Sequence, residues 1–463
     1  MLLAIRFQSR MCGRINSPMR SHRLATFALV LLAAMAVTTD AVAQTQRPAI
    51  EISPGRAKAF RVAVQRFRDL AQPTNALRSE DLRRVIGEAL DFTGVILPLD
   101  PAAYLGPEDS EPLSNRGRTD CPDWAQSGAD ALVEGEIRSE GGRIVIEFSV
   151  WDTARCVRLQ RKAISRVSSE ALRLARTVGD QIVAAFTGTP GCAATEIALI
   201  SDRSGQREIY VMDADGRNAR AATHSPAIKS FPSWLPEGDG LVYTSYANGG
   251  LAGLYLTSRG RVRAGKLFPS LLPGYSMFRG AFGPTGEYLA LVASSAGSSD
   301  IYTVHRTTGK LTQLTDTPAI EVGPSWSPDG TKLAFVSDRS GSPQIYTMNA
   351  DGSGLTRITF NGNYSTSPAW SPDGEWIAYE TRVEGQFDIW LVDPTGSISV
   401  PLITNRRSDE SPSWSPDGRK LAFSSTRRGR ADVYLVDRNG ENLQRLTKNA
   451  GDNLSPAWGP FPR

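Results

Sequence analysis

Tryptophan recurs at a fixed spacing in the C-terminal part of this chain. Trp326, Trp370, Trp414 and Trp458 follow one another at intervals of 44 residues, and the first three open the pentapeptide Trp-Ser-Pro-Asp-Gly. A fixed period of this length is typical of repeat architectures, in which each unit is one supersecondary structure. The spacing therefore limits the fold more strongly than any local feature of the sequence.

One repeat unit, residues 324–367, predicts four short antiparallel strands. Ser-Pro-Asp-Gly at 327–330 is typical of a type I turn, since proline suits its second position and glycine its fourth. Two further turns are predicted at 338–341 and 349–352. The run between the first two turns, 332–337, alternates as a strand does. Four strands per unit of this length predict a β-propeller blade.

The number of blades follows from weaker copies of the repeat. Trp234 and Phe282 occupy the equivalent position upstream, which makes six aromatic signals. The first set of three strands, starting near Ile197, has no aromatic signal before it, and Trp458 has no strands after it. We therefore predict an all-β propeller of six blades in which the C-terminal strand completes the first blade. Closure would remove the exposed edges of an open array.

The first 43 residues predict a secretion signal. Arg20 and Arg23 precede an apolar run at 24–37, and a small-residue sequence ends at Ala43. The apolar run is too short to span a bilayer. We expect cleavage between Ala43 and Gln44 and a mature chain without a transmembrane segment in an exported compartment.

The charge of the chain resides mainly in this leader. The full sequence carries a formal net charge of +4 at pH 7, but residues 1–43 contain five arginines and one acidic residue. The remaining chain has 47 basic and 47 acidic residues. A balanced charge does not favour the phosphate backbone of a nucleic acid as partner.

Three cysteines remain after the leader, namely Cys121, Cys156 and Cys192. An oxidising compartment allows one disulfide with one thiol left over. A Cys121–Cys156 disulfide is favoured because both residues lie in the N-terminal domain, and three small buried thiols are the alternative. The spacings do not fit a zinc site, which needs three or four closely spaced ligands.

Residues 44–190 lack the 44-residue period and mix helix with strand, which predicts one α/β domain ahead of a propeller at 191–463. Ser168 and Ser169 are candidate caps for the last helix, and Gly188 is its stop signal. The predicted strands are 61–67, 95–99, 131–137, 144–151 and 157–164, and the predicted helices are 81–90 and 170–186.

This order of parts resembles the TolB family, the periplasmic propeller proteins of the Tol-Pal system of Gram-negative bacteria, which have WD40-like PD40 repeats. The segments FRVAVQRF, GVILPLDP, ADALVEGEI and AFTGTPG are similar to family segments of the N-terminal domain. ALISDRSGQREIYVMDADG and DESPSWSPDG are similar to segments of its propeller. The repeats alone are shared with other propellers, so the domain order is the more specific sign.

The resemblance implies a non-enzymatic adaptor without a cofactor, acting as a monomer within a complex. Family members bind the lipoprotein Pal on the propeller and the inner-membrane protein TolA through the mature N-terminus. They support outer-membrane constriction during cell division and envelope integrity. These functions are expectations carried by the family, and composition alone does not indicate them.

The resemblance also implies site residues. The propeller face that receives Pal is formed by the loops that lead into the inner strands. The loop ending at Arg279 lacks a histidine that some relatives carry. For TolA, the alternating residues Ile50, Glu51 and Ile52 could add as an edge strand to a partner sheet. The implied Pal-facing residues are Arg279, Glu321, Tyr364, Asp409, Glu410 and Asn453.

An enzyme of the periplasm, a propeller hydrolase or lyase, is the alternative. A gated peptidase would need a Gly-x-Ser-x-Gly elbow, and a metal-dependent lyase would need clustered histidines, whereas His224 and His305 lie far apart. Asp409 and Glu410 could be catalytic carboxylates, but no neighbour marks them for acid–base chemistry. The loop at 213–216 resembles half of a calcium loop, with a hairpin turn as the favoured interpretation.

Overall fold

The structure, a computed structural model, describes residues 59–70, 79–111, 121–247, 250–258, 261–266, 272, 274–295, 297–448 and 451–462. Its N-terminal part combines one mixed sheet with helices. The helices are α1 (Ser79–Phe92), α2 (Cys121–Gln126) and α3 (Ala171–Thr187), with 3-10 turns at Pro101–Ala103 and Ser168–Glu170. The strands are β1 (Phe60–Val64), β2 (Arg68–Asp69), β3 (Ile96–Pro98), β4 (Ala131–Glu140), β5 (Arg143–Asp152) and β6 (Val157–Val167).

The sheet has the order β3-β1-β4-β5-β6, with β2 beside β4. Strands β4, β5 and β6 form the predicted antiparallel meander. Strand β1 runs parallel to both β3 and β4, because α1 returns the chain between β1 and β3. Apolar faces of α1 and α3, including Ile86 and Val178, complete the core against this sheet.

Helix α3 ends as predicted but begins differently. Gly188 adopts a left-handed φ of 78° and its N–H bonds to the carbonyl of Ala184, which is the expected C-terminal cap. At the other end Glu170 is the N-cap and makes no side-chain capping bond. The Ser168 hydroxyl donates instead to the carbonyl of Gly142, at 3.0 Å, so the prediction of a serine cap was wrong.

A disulfide joins Cys121 to Cys156, the pairing that the sequence favoured. It ties α2 to the turn between β5 and β6. The third thiol, Cys192, is free and buried just before the propeller. Burial raises the pKa of Cys192 well above its usual value, so this thiol is uncharged and packs in the protein interior.

The rest of the described chain forms six four-stranded sheets, the blades of a propeller, as predicted. In each blade the strand named first below is the inner one. Blade 1 is Asn453–Trp458, Glu196–Ser201, Glu208–Asp213 and Arg220–Ala221; blade 2 is Lys229–Trp234, Gly240–Ser245, Gly253–Ser258 and Arg261–Lys266; blade 3 is Ser276–Phe282, Tyr288–Ser295, Ser298–His305 and Leu311–Gln313; blade 4 is Glu321–Trp326, Lys332–Ser337, Gln344–Asn349 and Thr356–Arg357; blade 5 is Ser365–Trp370, Ile377–Val383, Gln386–Val392 and Ser399–Ile403; blade 6 is Asp409–Trp414, Lys420–Ser425, Asp432–Asp437 and Gln444–Arg445.

The ring closes between the first and last strands of the propeller. The C-terminal strand lies antiparallel to the first strand, with Asn453 opposite Ser201 and Trp458 opposite Ile197. Blade 1 therefore contains residues from both ends of the propeller sequence. This confirms the closure inferred from the unmatched tryptophan signal.

The periodic tryptophans hold neighbouring blades together. The indole N–H groups of three of them donate to backbone carbonyls of the preceding blade, which satisfies the polar edge of a largely buried ring. These bonds join Trp234 to Ala457 (2.9 Å), Trp326 to Ala281 (3.0 Å) and Trp414 to Ala369 (3.0 Å). Trp370 donates instead to the carbonyl of Gly374, and Trp458 to the Thr195 hydroxyl. These bonds give the tryptophans a structural role, so we do not count them as candidate binding residues.

Helix α3 attaches the N-terminal domain to the propeller through paired charges. The Arg176 guanidinium lies 2.6 Å from Asp213 and 2.7 Å from Asp215. The loop that resembled half of a calcium site thus binds an arginine of the same chain. Buried Asp180 accepts the backbone N–H groups of Ala193 and Ala194, both at 2.8 Å, and so fixes the connection to the helix.

Candidate functional site

The two ends of the propeller channel have different surroundings. Each inner strand begins at one end and finishes at the other with its aromatic residue. The N-terminal domain lies at the aromatic end, since Arg173 is 3.6 Å from Glu196, next to the residue that pairs with Trp458. The opposite end, where the inner strands begin, is called the mouth below.

A bulge recurs at the same place in every inner strand. The pairing with the next strand shifts register there, for example between Ser230 and Ser233 in blade 2. The residue at the bulge adopts a left-handed φ, between 49° and 67°, which is uncommon for residues other than glycine. These six residues are Phe231, Arg279, Gly323, Ser367, Ser411 and Ser455.

All six bulge residues line the central channel, which has a volume of about 400 Å³. In five blades a proline follows the bulge residue, and blade 3 has Gly280 instead. Bulges change the direction of a side chain, so the repeat presents one side chain per blade to the channel. In blades 1, 5 and 6 that side chain is a serine, in blade 3 it is an arginine and in blade 2 a phenylalanine.

Three of the six implied Pal-facing residues are buried in the blades. Glu321, Asp409 and Asn453 are each 0% exposed and occupy the first position of their inner strands. Their expected placement as partner-facing side chains is corrected by this burial. Each of them binds an arginine in the turn that follows the second strand of the same blade, so its polar atoms contribute to the fold.

A repeated latch explains this burial. In blade 6 the Arg427 guanidinium donates to Asp409 at 3.0 Å and to the Ser425 hydroxyl at 2.8 Å, and it stacks on Tyr434 at 4.6 Å. Desolvation nevertheless raises the pKa of Asp409. Equivalent latches join Arg339 to Glu321, Ser337 and Tyr346, and Arg203 to Asn453, Ser201 and Tyr210.

The latch was missed from the sequence, although a signal for it is present. Each arginine comes two residues after the serine that ends a strand, at 201–203, 337–339 and 425–427. The next strand after each arginine contains an aliphatic residue and then the tyrosine on which the arginine stacks. Reading the arginines with the same period as the tryptophans would have identified them as structural.

The other three implied residues lie at or near the mouth. Tyr364 is 39% exposed and packs edge-on against Phe387, with ring centroids 5.8 Å apart. Glu410 is half-buried, and desolvation followed by the charges of Glu380 and Asp409 raises its pKa to about 7. Arg279 lines the channel itself. These side chains remain candidates for contact with a partner.

A buried carboxylate organises the mouth between blades 5 and 6. Glu380 is 8% exposed and accepts the hydroxyl of Thr366 at 2.5 Å and the backbone N–H of Ser411 at 2.6 Å. These bonds connect the inner strands of two blades below Glu410. The arrangement holds the rim of the mouth rigidly, which favours a preformed binding surface.

Some predicted residues lie outside the described part of the chain. They are the cleavage residues Ala43 and Gln44 and the TolA-facing residues Ile50, Glu51 and Ile52. Among the described residues, no three histidine, cysteine, aspartate or glutamate side chains come together as a metal site would require. No helix in that same part is long and apolar enough to cross a membrane.

The fold and the channel together define the class of the protein as a β-propeller with a small α/β domain ahead of it. Family models match both parts in this order, the TolB amino-terminal domain at residues 48–159 and the TolB beta propeller domain at residues 183–462. The propeller match covers more than half of the sequence. The chain belongs to the TolB family.

Individual relatives agree with this assignment. The chain is 33% identical over 304 residues to "Tol-Pal system protein TolB" of Anaeromyxobacter dehalogenans strain 2CP-C, covering 65% of this chain and 67% of the relative. It is 33% identical over 235 residues to the protein of the same name from Paramagnetospirillum magneticum, covering 50% and 51%. The crystal structure of TolB from Acinetobacter baumannii shares the fold, with a TM-score of 0.71, 22% identity and coverage of 87% and 97%.

Proposed function

We propose that this chain is a non-enzymatic periplasmic adaptor of the Tol-Pal system. The observation that carries the proposal is the succession of two family domains along one chain, at 48–159 and 183–462. Relatives that match this chain are named as Tol-Pal system proteins. The adaptor would support outer-membrane constriction during cell division and the integrity of the envelope.

The propeller mouth is the proposed site for Pal. The N-terminal domain contacts the other end of the channel, through Arg176 and through Phe92, over which the Lys420 ammonium lies at 5.3 Å. The mouth offers an exposed aromatic ring at Tyr364 and a half-buried acid at Glu410 on a rigid rim. Exposed aromatic residues on a preformed surface are typical anchors of protein interfaces.

The mature N-terminus is the proposed site for TolA. Residues 44–53 contain the alternation Ile50-Glu51-Ile52, which suits a strand added to the edge of a partner sheet. In such a complex, main-chain hydrogen bonds provide affinity and alternate side chains provide specificity. The two partners would then use separate parts of the chain.

Binding assays with both partners test this function. The mature protein, beginning at Gln44, should bind purified Pal and TolA of its own organism in biolayer interferometry. Deletion of residues 44–53 should abolish TolA binding and leave Pal binding unchanged. A mature protein that is folded by circular dichroism and yet binds neither partner would contradict the proposal, and a deletion that leaves TolA affinity intact would contradict the role of the tail.

A further inference from the structure

A half-buried arginine without a counterion lines the channel. In the part of the chain that the structure describes, the Arg279 guanidinium makes no hydrogen bond or ion pair, and its one ring contact is with Phe231, at 3.9 Å from the ring centroid. The latch arginines Arg203 and Arg427, in contrast, are hydrogen-bonded to buried acceptors. Arg279 is therefore a cation that the fold itself does not use.

The neighbouring blade leaves space for this side chain. Gly323, the bulge residue of the next blade, has a φ of 67°, and a Cβ placed on it would lie 3.1 Å from Arg279 Nη1. A side chain at that position would press on the guanidinium. Glycine thus suits both the left-handed backbone and the path of the arginine along the channel.

Hydrogen-bond donors surround the same space. Ser367, Ser411 and Ser455 occupy the equivalent bulges of blades 5, 6 and 1 and line the channel. Among the described residues, their hydroxyl groups have no hydrogen-bond partner. The channel therefore combines one cation with three neutral donors.

The electrostatics of the channel favour an anion beside Arg279. Burial lowers the pKa of the Arg279 guanidinium, and the charges of Glu380 and Tyr364 oppose this effect. Glu380 accepts hydrogen bonds from Thr366 and Ser411, and among the described residues it forms no ion pair with the arginine. A half-buried guanidinium without a hydrogen-bond partner in the described chain gains its most complete set of hydrogen bonds from a carboxylate, which matches its planar fork.

We propose that the channel is a binding site for a carboxylate group, held by Arg279 and the bulge serines. A volume of about 400 Å³ admits one acidic side chain or a small organic acid. The acidic side chain would belong to a partner loop that enters the mouth, and this version of the proposal rests on the proposed function. Binding of a free organic acid would not depend on the proposed function.

Succinate is the probe for the site itself. Isothermal titration of the mature protein with succinate should detect binding, and Arg279→Gln should weaken it about tenfold or more, since it removes a charge-assisted pair. Arg428→Gln is the matched control, because Arg428 is an exposed arginine at the same end of the propeller. This control should bind succinate as the original chain does.

A second arm identifies the source of the carboxylate. If a partner side chain occupies the channel, Arg279→Gln should weaken Pal binding about tenfold and succinate should compete with Pal. Succinate binding that depends on Arg279 without any effect on Pal would assign the site to a free acid. Failure of Pal to bind the original chain would remove the proposed function but leave the succinate result interpretable.

One combination of results overturns the inference. It is overturned if succinate does not bind the original chain and Arg279→Gln binds Pal as tightly as the original chain does. Equal melting temperatures would show that the variant is folded. If the variant does not fold, the original chain alone tests the inference. The inference is then overturned if succinate neither binds this chain nor competes with Pal for it.

Discussion

The two ends of the propeller differ in how their charged side chains are used. At the aromatic end, Arg176 binds two aspartates and Lys420 pairs with Asp437, so the described charges are neutralised within the chain. Near the mouth, Arg279 lies in the channel without a counterion among the described residues, and Glu410 is half-buried with its pKa raised to about 7. One end is organised for folding, and the other retains half-buried charged groups that a ligand can satisfy.

The same contrast separates two kinds of position along each inner strand. In blades 1, 4 and 6 the first residue, such as Asp409 or Glu321, is buried and held by a latch arginine. Two or three residues further on, the bulge residue faces the channel. Proximity to the mouth is therefore a poor guide to function, and the pairing of the side chain is a better one. Changes at paired positions should therefore affect folding, and changes at unpaired positions should affect binding.

Removal of the closing strand should have the largest effect. A chain truncated after Thr447 lacks the inner strand of blade 1 and leaves the edge of the neighbouring strand Glu196–Ser201 unpaired. We expect the cooperative thermal transition of the propeller, followed by circular dichroism, to be lost. Truncation after Pro460 keeps the strand and should melt like the original chain. A melting temperature unchanged by truncation after Thr447 would refute the role assigned to closure.

Loss of a latch arginine should destabilise the propeller strongly. Arg427→Ala leaves the carboxylate of Asp409 buried without its cation, and breaking such a pair typically costs about 3 kcal/mol or more. Urea unfolding should show this change in the free energy of unfolding. Arg428→Ala, an exposed neighbour, should change it by less than about 0.5 kcal/mol. Equal effects of the two substitutions would mean that the latch is not structural.

The contact between the domains should be weaker than a latch but measurable. Arg176→Ala removes bonds to Asp213 and Asp215, which we expect to cost about 2 kcal/mol and to accelerate proteolysis between residues 188 and 195. Arg217 pairs with the same loop, but its side chain is 65% exposed, so Arg217→Ala should have an effect below about 1 kcal/mol. A larger effect of the exposed arginine would reverse our ranking of the two contacts.

The pH dependence of stability should report on Asp180. Burial raises the pKa of this carboxyl from 3.8 to about 7, against the backbone N–H groups of Ala194 and Ala193. The folded protein binds the Asp180 proton more tightly than the unfolded chain does. The stability that protonated Asp180 contributes is therefore full below about pH 3.8 and is lost as the pH rises through about 7. Relative to Asp180→Asn, the original chain should be more stable at pH 5 than at pH 8 in urea unfolding. A difference between the two chains that does not change with pH would contradict this assignment.

Features that depend on periodicity could be predicted from the sequence. The 44-residue interval fixed the number of blades, and the position of Trp458 relative to the strands indicated the closure now seen opposite Ile197. Gly188 correctly marked the end of α3. Such features are local or repeated, so a single sequence contains several copies of the evidence for them.

The pairing of individual side chains could not be predicted in the same way. Asp409 and Arg279 both precede the aromatic residue of their inner strands and both are charged, but one is buried in a latch and the other lines the channel. The difference arises from a bulge of one residue, which reverses the face that a side chain occupies. It also depends on Arg427, 18 residues further along, which local patterns do not connect to Asp409.

We propose that Pal binds at the mouth and that the aromatic end serves the fold. Hydrogen–deuterium exchange of the mature protein with and without Pal tests this division between the two ends. We predict protection of the mouth segments 362–367 and 404–411, with no change at the aromatic-end turns 371–375 and 415–419. Protection of those turns with no change at the mouth segments would contradict it.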